Sequence, residues 1–313
     1  MPKWTAHDIP DQAGRVIIIT GANSGVGYES ARALARKNAT VIMACRNPQK
    51  AKAAHDQIIA EIPNARLDVM TLDLSDLNSV RDFAEAFHQK YDRLDVLMNN
   101  AGVMAIPRAE TAQGFEMQFG VNHLAHFALT GRLLDILLKT RKSRVVTLTS
   151  QAHINAKIDF DDLNHQQKYG RWEAYGQSKL ANALFAIELA RRLKAANVET
   201  ISIAAQPGLA NTNLQKNMAE RTGSGLDRFF ANFIMDIAAQ SQEMGALPQL
   251  YAATMPDVHN GDYFGPAIGG FRGWPEKRKL AKHAYDAETA RRLWEVSEQL
   301  TEVHYDALQT ASV

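Results

Sequence analysis

A tyrosine and a lysine four positions apart, Tyr175 and Lys179, are the residues of this sequence best suited to acid-base chemistry. The apolar spacing between Trp172 and Lys194 predicts a helix, and helical side chains four apart emerge from the same face. A nearby ammonium group favours the tyrosinate and lowers a phenol pKa that is ordinarily near 10. The pair could therefore exchange a proton near neutral pH. By itself, this spacing also fits a surface tyrosine beside a lysine.

A glycine-rich turn near the start of the sequence is suited to binding phosphate. Gly21, Gly25 and Gly27 lie between a predicted strand over residues 15–20 and a predicted helix over residues 29–37. Glycines allow a tight turn and a close approach of backbone N–H groups to an anion. The N-terminus of the helix adds a partial positive charge. The position of the turn at the first strand–helix junction predicts a dinucleotide-binding site rather than an ordinary turn.

The elements that must position these residues alternate between strand and helix over the first two-thirds of the sequence. The predicted strands cover residues 15–20, 39–45, 67–72, 94–98, 144–149 and 199–205. The predicted helices cover residues 29–37, 50–61, 77–90, 114–139 and 172–194. This alternation predicts an α/β fold with a single doubly wound, Rossmann-type parallel sheet of about seven strands and helices on both faces.

The chain shows no linker or internal repeat that would divide it. Residues 1–313 are therefore predicted to form one NADP-binding domain. Residues 151–174 and the less regular residues 209–275 are predicted to form a substrate loop and a C-terminal lid over the ligand crevice.

The spacing T-G-x-x-x-G-x-G from Thr20 to Gly27 resembles that of the short-chain dehydrogenase/reductase family. Independent matches are the N-N-A-G string ending at Gly102, Ser150 at the end of the fifth predicted strand, and Asn122 in the preceding helix. Within the family, the sequence looks most like the retinol-dehydrogenase, WW-domain oxidoreductase and protochlorophyllide-reductase group. The strings that support this are residues 44–47, 121–130 and 178–193.

The resemblance implies a catalytic tetrad and a mechanism. The tetrad would be Asn122, Ser150, Tyr175 and Lys179. Ser150 would hold a carbonyl oxygen while Tyr175 donates a proton to it. Lys179 would bind the nicotinamide ribose, and Asn122 would position a water that links Lys179 to solvent. The implied activity is hydride transfer between a nicotinamide and a small-molecule carbonyl or alcohol.

Arg46 follows the second predicted strand, where nicotinamide enzymes recognise the adenosine ribose. An arginine there suits the 2′-phosphate of NADP, so NADP(H) is predicted over NAD(H), although an exposed turn arginine is the alternative. The resemblance implies further cofactor contacts. They are Gly21, Asn23, Ser24, Gly25, Val26, Gly27, Asp73, Leu74, Asn99, Ala101, Gly102, Tyr175, Lys179, Pro207, Gly208 and Thr212.

Composition excludes several classes of protein. A net charge of +1 provides no field for nucleic acid, and the single cysteine, Cys45, excludes an internal disulfide and a cysteine-based zinc site. No metal site is predicted. No apolar run is long enough to span a bilayer, so a cytoplasmic protein without a membrane anchor is expected.

His123, His126 and His153 are expected to be structural, and Tyr169 is a weaker catalytic candidate than Tyr175 because no lysine follows it at four positions.

Substrate and assembly are less constrained by the sequence. Six aromatic residues either line a pocket for a lipophilic carbonyl or alcohol or pack the lid against the sheet: Phe229, Phe230, Phe233, Tyr263, Phe264 and Trp274. A homodimer through the tyrosine-bearing helix would use Ala181, Ala183, Leu184 and Ala186, unless these residues face the core. The alternatives to an oxidoreductase are a catalytically silent NADP-sensing regulator and a nucleotide-sugar epimerase or dehydratase. A regulator of this kind would usually lack Tyr175 or Lys179. An epimerase or dehydratase would need a different glycine turn.

Overall fold

The computed structural model describes residues 3–209 and 240–308. These residues form an eight-stranded sheet in the order β3-β2-β1-β4-β5-β6-β7-β8. Paired strands from β3 to β7 are parallel, and β8 joins β7 in the antiparallel direction. The strands are β1 (Val16–Thr20), β2 (Thr40–Cys45), β3 (Arg66–Thr71), β4 (Val96–Asn99), β5 (Arg144–Leu148), β6 (Ile201–Ala205), β7 (Tyr263–Ile268) and β8 (Arg272–Arg278).

Helices cover both faces of this sheet. Among the described residues they are α1 (Gly25–Ala35), α2 (Pro48–Glu61), α3 (Leu77–Lys90), α4 (Met117–Phe119), α5 (Ala125–Arg132), α6 (Leu134–Lys139), α7 (Arg171–Ala195), α8 (Gln242–Thr254) and α9 (Ala287–Thr301). Helices α1, α2 and α8 share one apolar cluster with the sheet, while α3, α5 and α7 contribute to the cluster on the opposite face. The predicted doubly wound α/β fold is confirmed, with an antiparallel eighth strand beyond the seven parallel ones.

The central strands are buried on both faces, which explains their continuous apolar sequence. All five residues of β1 are buried, and every residue of β4 is buried as well. The strand order reverses between β1 and β4, so the carboxyl ends of these two strands flank a crevice. The glycine turn and the N-N-A-G string both lie at this edge.

The predicted lid is only partly separate from the core. Helix α8 is buried from Gly245 to Thr254 and packs on α1, and β7 is a strand of the sheet. Of the six aromatic residues predicted for the pocket or lid, Tyr263 and Phe264 are buried in the core and Trp274 packs against its edge. The other three, Phe229, Phe230 and Phe233, lie outside the described residues. Helix α8 and strand β7 therefore belong to the core of the fold, and a lid over the ligand crevice stays a prediction.

Helix α9 covers the outer side of α5 and α7. The Trp294 ring lies 5.1 Å from the Phe127 ring and 5.8 Å from the Phe185 ring, measured between centroids. The Tyr305 hydroxyl, just beyond α9, donates to the Phe127 carbonyl at 2.7 Å. This aromatic cluster fixes the C-terminal part of the described chain against the sheet-covering helices.

The face of α7 considered for dimerisation is buried within the chain. Its members are Ala181, Ala183, Leu184 and Ala186, each 0–1% exposed. They share an apolar cluster with Leu280 and with Leu293 of α9. The alternative interpretation, that these residues face the core, is therefore correct. No helix within residues 3–209 and 240–308 is long and apolar enough to cross a membrane.

Candidate functional site

The glycine turn is built so that its backbone lies against the end of β4. Gly21 and Gly25 have φ angles of +70° and +60°, which L-residues with side chains rarely adopt. A Cβ on Gly27 would lie 2.5 Å from the Gly21 carbonyl oxygen and 2.6 Å from Nδ2 of Asn100. Ser24 precedes α1 without forming a side-chain cap, so no hydroxyl shields the first N–H groups of the helix. This cradle fits the pyrophosphate of a dinucleotide.

Polar contacts tie the carboxyl ends of β1 and β4 together. The Thr20 hydroxyl oxygen accepts the backbone N–H groups of Asn100 and Ala101, both at 2.9 Å. Asn100 donates from Nδ2 to the Thr20 carbonyl at 2.7 Å and accepts from Gln249 at 3.1 Å. Sequence analysis missed Gln249 because α8 lies more than a hundred residues away along the chain. These bonds hold Ala101 and Gly102 at the crevice.

Asn99 does not reach the crevice with its side chain. It is 1% exposed, and its Nδ2 donates to the Thr130 hydroxyl at 3.0 Å inside the core. The Asn99 side chain thus ties the end of β4 to neighbouring elements in the core, and a contact between this residue and the cofactor stays a prediction.

Asn122 lies on a π-helical turn, Gly120–Leu124, which interrupts the helix predicted over residues 114–139. Such turns insert an extra residue and frequently occur at functional sites. The Asn122 amide is fully engaged: Oδ1 accepts from the Val103 N–H at 2.8 Å, and Nδ2 donates to the Val103 carbonyl and the Ser178 hydroxyl, both at 2.9 Å. Asn122 thereby fastens the segment after β4 to α7.

Ser150, Tyr175 and Lys179 converge with Asn122 at the same edge of the sheet. Ser150 begins a 3₁₀ turn, Gln151–Asn155, and its hydroxyl forms a hydrogen-bonding interaction with Tyr175. The Lys179 Nζ lies 5.8 Å from the centre of the Tyr175 ring and donates to the Leu148 carbonyl at 3.3 Å. The structure thus brings the predicted tetrad together.

Gly102 shows how tightly this group is packed. A Cβ there would lie 2.9 Å from Oδ1 of Asn122 and 3.4 Å from Nζ of Lys179. The N-N-A-G string therefore lies directly against the tetrad, between the glycine turn and the catalytic candidates.

Burial dominates the ionisation of the two titratable members of the tetrad. It raises the pKa of Tyr175 above its ordinary value, and hydrogen bonding from Ser150 lowers it only in part. Burial also lowers the pKa of Lys179 to about 8. The lowering of the Tyr175 pKa expected from Lys179 together with a positively charged nicotinamide stays a prediction, and within the chain itself burial has the larger effect.

The residues predicted to bind the adenosine half lie along the ends of β2 and β3. Arg46 is exposed immediately after β2 and forms no ion pair within the described parts of the chain. The Asp73 carboxylate accepts from the backbone and hydroxyl of Ser75, and Leu74 is buried beside it.

Cys45 accepts hydrogen bonds from the N–H groups of Ala22 and Asn23, and burial raises the pKa of its thiol to about 11. Cys45 is thus a neutral support for the glycine turn.

Pro207 and Gly208 border the site from β6. Gly208 has a φ of +69°, and a Cβ there would collide with the Phe271 carbonyl. The Pro207 carbonyl accepts from Gln240 at 2.9 Å. Thr212, the remaining predicted cofactor contact, lies outside the described residues. No group of three or more metal-ligating side chains occurs among the residues that the structure describes.

The histidines and Tyr169 have structural partners. His126 donates from Nδ1 to the Asn122 carbonyl at 3.0 Å, and its Nε2 pairs with the Thr20 hydroxyl at 2.9 Å. His123 pairs with the Ser297 hydroxyl at 2.9 Å. The Tyr169 hydroxyl donates to the Ile106 carbonyl at 2.8 Å. His123 and His126 thus make contacts of the structural kind expected of them, and the Tyr169 hydroxyl bonds to Ile106 rather than to a member of the tetrad.

Acid is expected to destabilise the fold through two of these histidines. Burial lowers the pKa of His123 to about 3 and that of His126 to about 4, whereas both titrate near 6.5 when unfolded. As the pH falls below about 6.5, the unfolded chain binds protons that the folded chain does not. The unfolding free energy then falls by up to about 3 kcal/mol per pH unit. Urea denaturation between pH 7.5 and 5 measures this slope.

The matched variants for this measurement are His123→Gln and His259→Gln. His123→Gln is expected to reduce the slope by about one proton. His259 is exposed, so its replacement should leave the slope unchanged. Equal slopes in all three proteins would contradict the assignment to buried histidines.

Comparisons with known proteins agree on one family. A family model described as short chain dehydrogenase matches residues 15–223. Retinol dehydrogenase 13 of Homo sapiens is 42% identical over 288 residues, which cover 92% of this chain and 84% of that protein. Retinol dehydrogenase 12 of Mus musculus is 41% identical, with 94% of this chain and 88% of that protein covered.

Solved structures extend the likeness. An uncharacterised protein from Mycobacterium paratuberculosis has a TM-score of 0.80 at 42% identity, covering 97% of this chain and 99% of that one. A short chain dehydrogenase from Escherichia coli, complexed with NADPH, has a TM-score of 0.55 at 27% identity, covering 68% of this chain and 84% of that one.

Proposed function

The chain belongs to the short-chain dehydrogenase family, in the group that resembles retinol dehydrogenases, and from that premise we propose that it is an NADP(H)-dependent oxidoreductase of lipophilic carbonyl and alcohol substrates. The observation that carries the proposal is the convergence of the tetrad, two of whose members, Asn122 and Lys179, lie against Gly102 at the edge where the strand order reverses. A tetrad placed there faces the crevice in which open α/β sheets bind their ligands.

The residues present fit a dinucleotide phosphate. The cradle formed by Gly21, Gly25 and Gly27 would hold the pyrophosphate, and exposed Arg46 would pair with the 2′-phosphate. Lys179 would bind the nicotinamide ribose hydroxyls. When bound, NADPH would supply the hydride.

Residues of the chain itself would hold the substrate oxygen and donate the proton to it. Ser150 would donate a hydrogen bond to the substrate carbonyl and stabilise negative charge as it develops on the oxygen. Tyr175 would donate its hydroxyl proton to that oxygen, which suits a group whose pKa burial keeps high enough to remain protonated at neutral pH. Lys179 remains largely protonated at pH 7, so its charge stabilises the tyrosinate left behind.

The surroundings of the tetrad support an apolar substrate. Trp172, one turn before Tyr175, is 48% exposed, and the two ring centres are 6.2 Å apart. Ile154, on the turn that Ser150 begins, is 44% exposed. Large exposed apolar side chains beside a reactive group provide a surface that an aldehyde, ketone or alcohol with a hydrocarbon body could cover. The test is NADPH oxidation against aldehydes and ketones of increasing chain length, with turnover expected to favour the longer members.

Replacing Arg46 with alanine is expected to weaken NADPH binding by about 10-fold or more, because a hydrogen bond to a charged group contributes about 1.5–3 kcal/mol. NADH lacks the 2′-phosphate, so its affinity should not change. Calorimetric titration of both dinucleotides measures the difference. Arg141→Ala, which removes another exposed arginine, is the matched control. Unchanged NADPH affinity in Arg46→Ala would contradict the predicted cofactor preference.

A further inference from the structure

The turn that carries Ser150 is fastened to the C-terminal part of the chain by one buried imidazole, His153. The ring is 1% exposed. Its Nδ1 lies 2.6 Å from the Ser150 carbonyl oxygen, which also accepts the backbone N–H of His153 at 3.0 Å. On the other side of the ring, the Ala281 N–H donates to Nε2 at 3.2 Å. The imidazole therefore bridges the catalytic serine and the segment that precedes α9.

These partners determine which ring nitrogen carries the proton. A backbone N–H can only donate, so Nε2 of His153 must accept from Ala281. In a neutral imidazole the other nitrogen then bears hydrogen, and Nδ1 donates to the Ser150 carbonyl. A protonated ring would bear hydrogen on both nitrogens and would direct an Nε2–H group at the Ala281 N–H. Only the neutral Nδ1–H form satisfies both contacts.

We propose that neutral His153 is a positioning residue that holds Ser150 against Tyr175, and that protonation of its ring releases this hold. The inference rests on the proposed function, since it assigns Ser150 its role toward a carbonyl oxygen. Loss of the Ala281 bond would free the Gln151–Asn155 turn, whose first hydrogen bonds are made by Ser150 itself. Ser150 would then no longer present its hydroxyl to Tyr175.

The groups packed around the ring oppose its protonation. His283 donates from Nε2 to the His153 carbonyl at 2.9 Å, and the Tyr263 ring of β7 meets the imidazole edge-on at 6.1 Å. Tyr175 faces the turn from α7 through Ser150, and Lys282 and Tyr285 flank His283 on the exposed side. Burial lowers the pKa of His153 below 6.5, the hydrogen bond to the Ser150 carbonyl raises it only in part, and the charge of His283 lowers it further. The ring is thus neutral at pH 7 and takes up a proton only in more acidic solution.

The test measures kcat for carbonyl reduction against pH in three variants. His153→Asn keeps a donor for Ser150 but removes the Nε2 acceptor of the Ala281 N–H and cannot titrate, so we expect kcat at pH 7.5 to fall to the level that the unaltered protein reaches at acidic pH and to show no further fall there. His153→Phe fills the space without the hydrogen bond, and we expect kcat to fall about 10-fold or more while the NADPH Kd stays within about 2-fold. His283→Gln keeps a donor to the His153 carbonyl but removes a nearby positive charge.

The third variant separates a positioning role from a merely structural one. Since the charge of His283 lowers the pKa of His153, His283→Gln is expected to move the acidic fall in kcat to higher pH, although the new residue does not titrate. If the fall in kcat at acidic pH is unchanged in both His153→Asn and His283→Gln, the proposal is overturned. Unchanged kcat in His153→Phe would overturn it as well.

A direct measurement covers the case in which a His153 variant fails to fold. Nitrogen-15 NMR of the histidine side chains in the unaltered protein reports the tautomer, and the Nδ1–H form is expected for His153 at pH 7.5. The Nε2–H form would overturn the proposal whatever the kinetics. If the unaltered protein reduces no carbonyl at all, the proposed function is rejected, and with it the catalytic role of the contact between His153 and Ser150. The measured tautomer then still shows whether His153 bridges Ser150 and Ala281.

Discussion

A Tyr175→Phe protein is expected to reduce a carbonyl substrate about 10²–10⁴-fold more slowly than the unaltered protein, because general acid catalysis typically contributes that factor. Phenylalanine keeps the ring and its edge contact with Trp172 but removes the proton donor. The fold and the glycine turn do not depend on the hydroxyl, so NADPH affinity should stay within a few-fold. Single-turnover measurement of NADPH oxidation, beside calorimetric titration of NADPH, separates the two effects.

Tyr169→Phe is the matched control for this experiment. It removes a tyrosine hydroxyl six positions earlier that donates to the Ile106 carbonyl instead of facing the tetrad. We expect a loss of about 1 kcal/mol in unfolding free energy with little change in kcat. Turnover that survives Tyr175→Phe, or falls equally in both variants, would reject Tyr175 as the acid. If neither protein has activity although NADPH binds, a cofactor-sensing role becomes the better description.

The second large effect is expected from Gly27→Ala. The added Cβ would lie 2.5 Å from the Gly21 carbonyl oxygen and 2.6 Å from Asn100 Nδ2, and neither group can move without disturbing the ends of β1 and β4. We expect NADPH affinity to fall by about 100-fold or more, since displacement of the turn removes its backbone N–H groups from the phosphate. Overpacking of this kind also costs about 1–3 kcal/mol of stability.

Gly14→Ala distinguishes a collision at the cofactor turn from general backbone strain. Gly14 has a φ of +76°, but a Cβ there meets nothing within 4 Å. Its replacement should lower stability by about 1 kcal/mol through strain and leave NADPH binding unchanged. Calorimetric titration and urea denaturation of both variants provide the comparison. NADPH affinity retained in Gly27→Ala would contradict the assignment of this turn to the pyrophosphate.

The sequence predicts the parallel sheet well because the sheet depends on local patterns, whereas the tetrad is predicted from the resemblance to a known family. Continuous apolar runs such as residues 16–20 mark strands buried on two faces, and residues that follow such strands must lie at one edge. Tyr175 and Lys179 share a helix face through their spacing alone. Ser150 lies at the same edge because it follows a parallel strand, whereas Asn122, on a π-helical turn, is identified only by the resemblance.

What the sequence does not predict depends on contacts between distant segments. The orientation of Asn99 is set by Thr130 and Thr147, which no local pattern identifies. Helix α8 falls within the segment predicted as a lid, yet it continues through Pro248 and packs against α1 in the core. Pro275 likewise obscures β8 in the sequence, and β8 tolerates a proline because, among the described strands, it lies at the edge of the sheet beside β7 alone.

The pKa of Tyr175 illustrates the same limit in electrostatics. Spacing shows that an ammonium lies nearby, but the depth of burial that raises the phenol pKa is a property of the assembled site. For the same reason, the tautomer of His153 follows only from the position of the Ala281 N–H, more than a hundred residues away.

The cover that α9 and Tyr305 place over α5 and α7 has a consequence for synthesis on the ribosome. The apolar sides of α5 and α7 are complete once residue 195 has been made, but their cover is encoded about 110 residues later. At typical rates of translation this leaves the nascent chain with an uncovered aromatic surface for on the order of ten seconds. During this interval Phe127 and Phe185 lack their contacts with Trp294, and exposed apolar surface of this kind makes a nascent chain prone to aggregation.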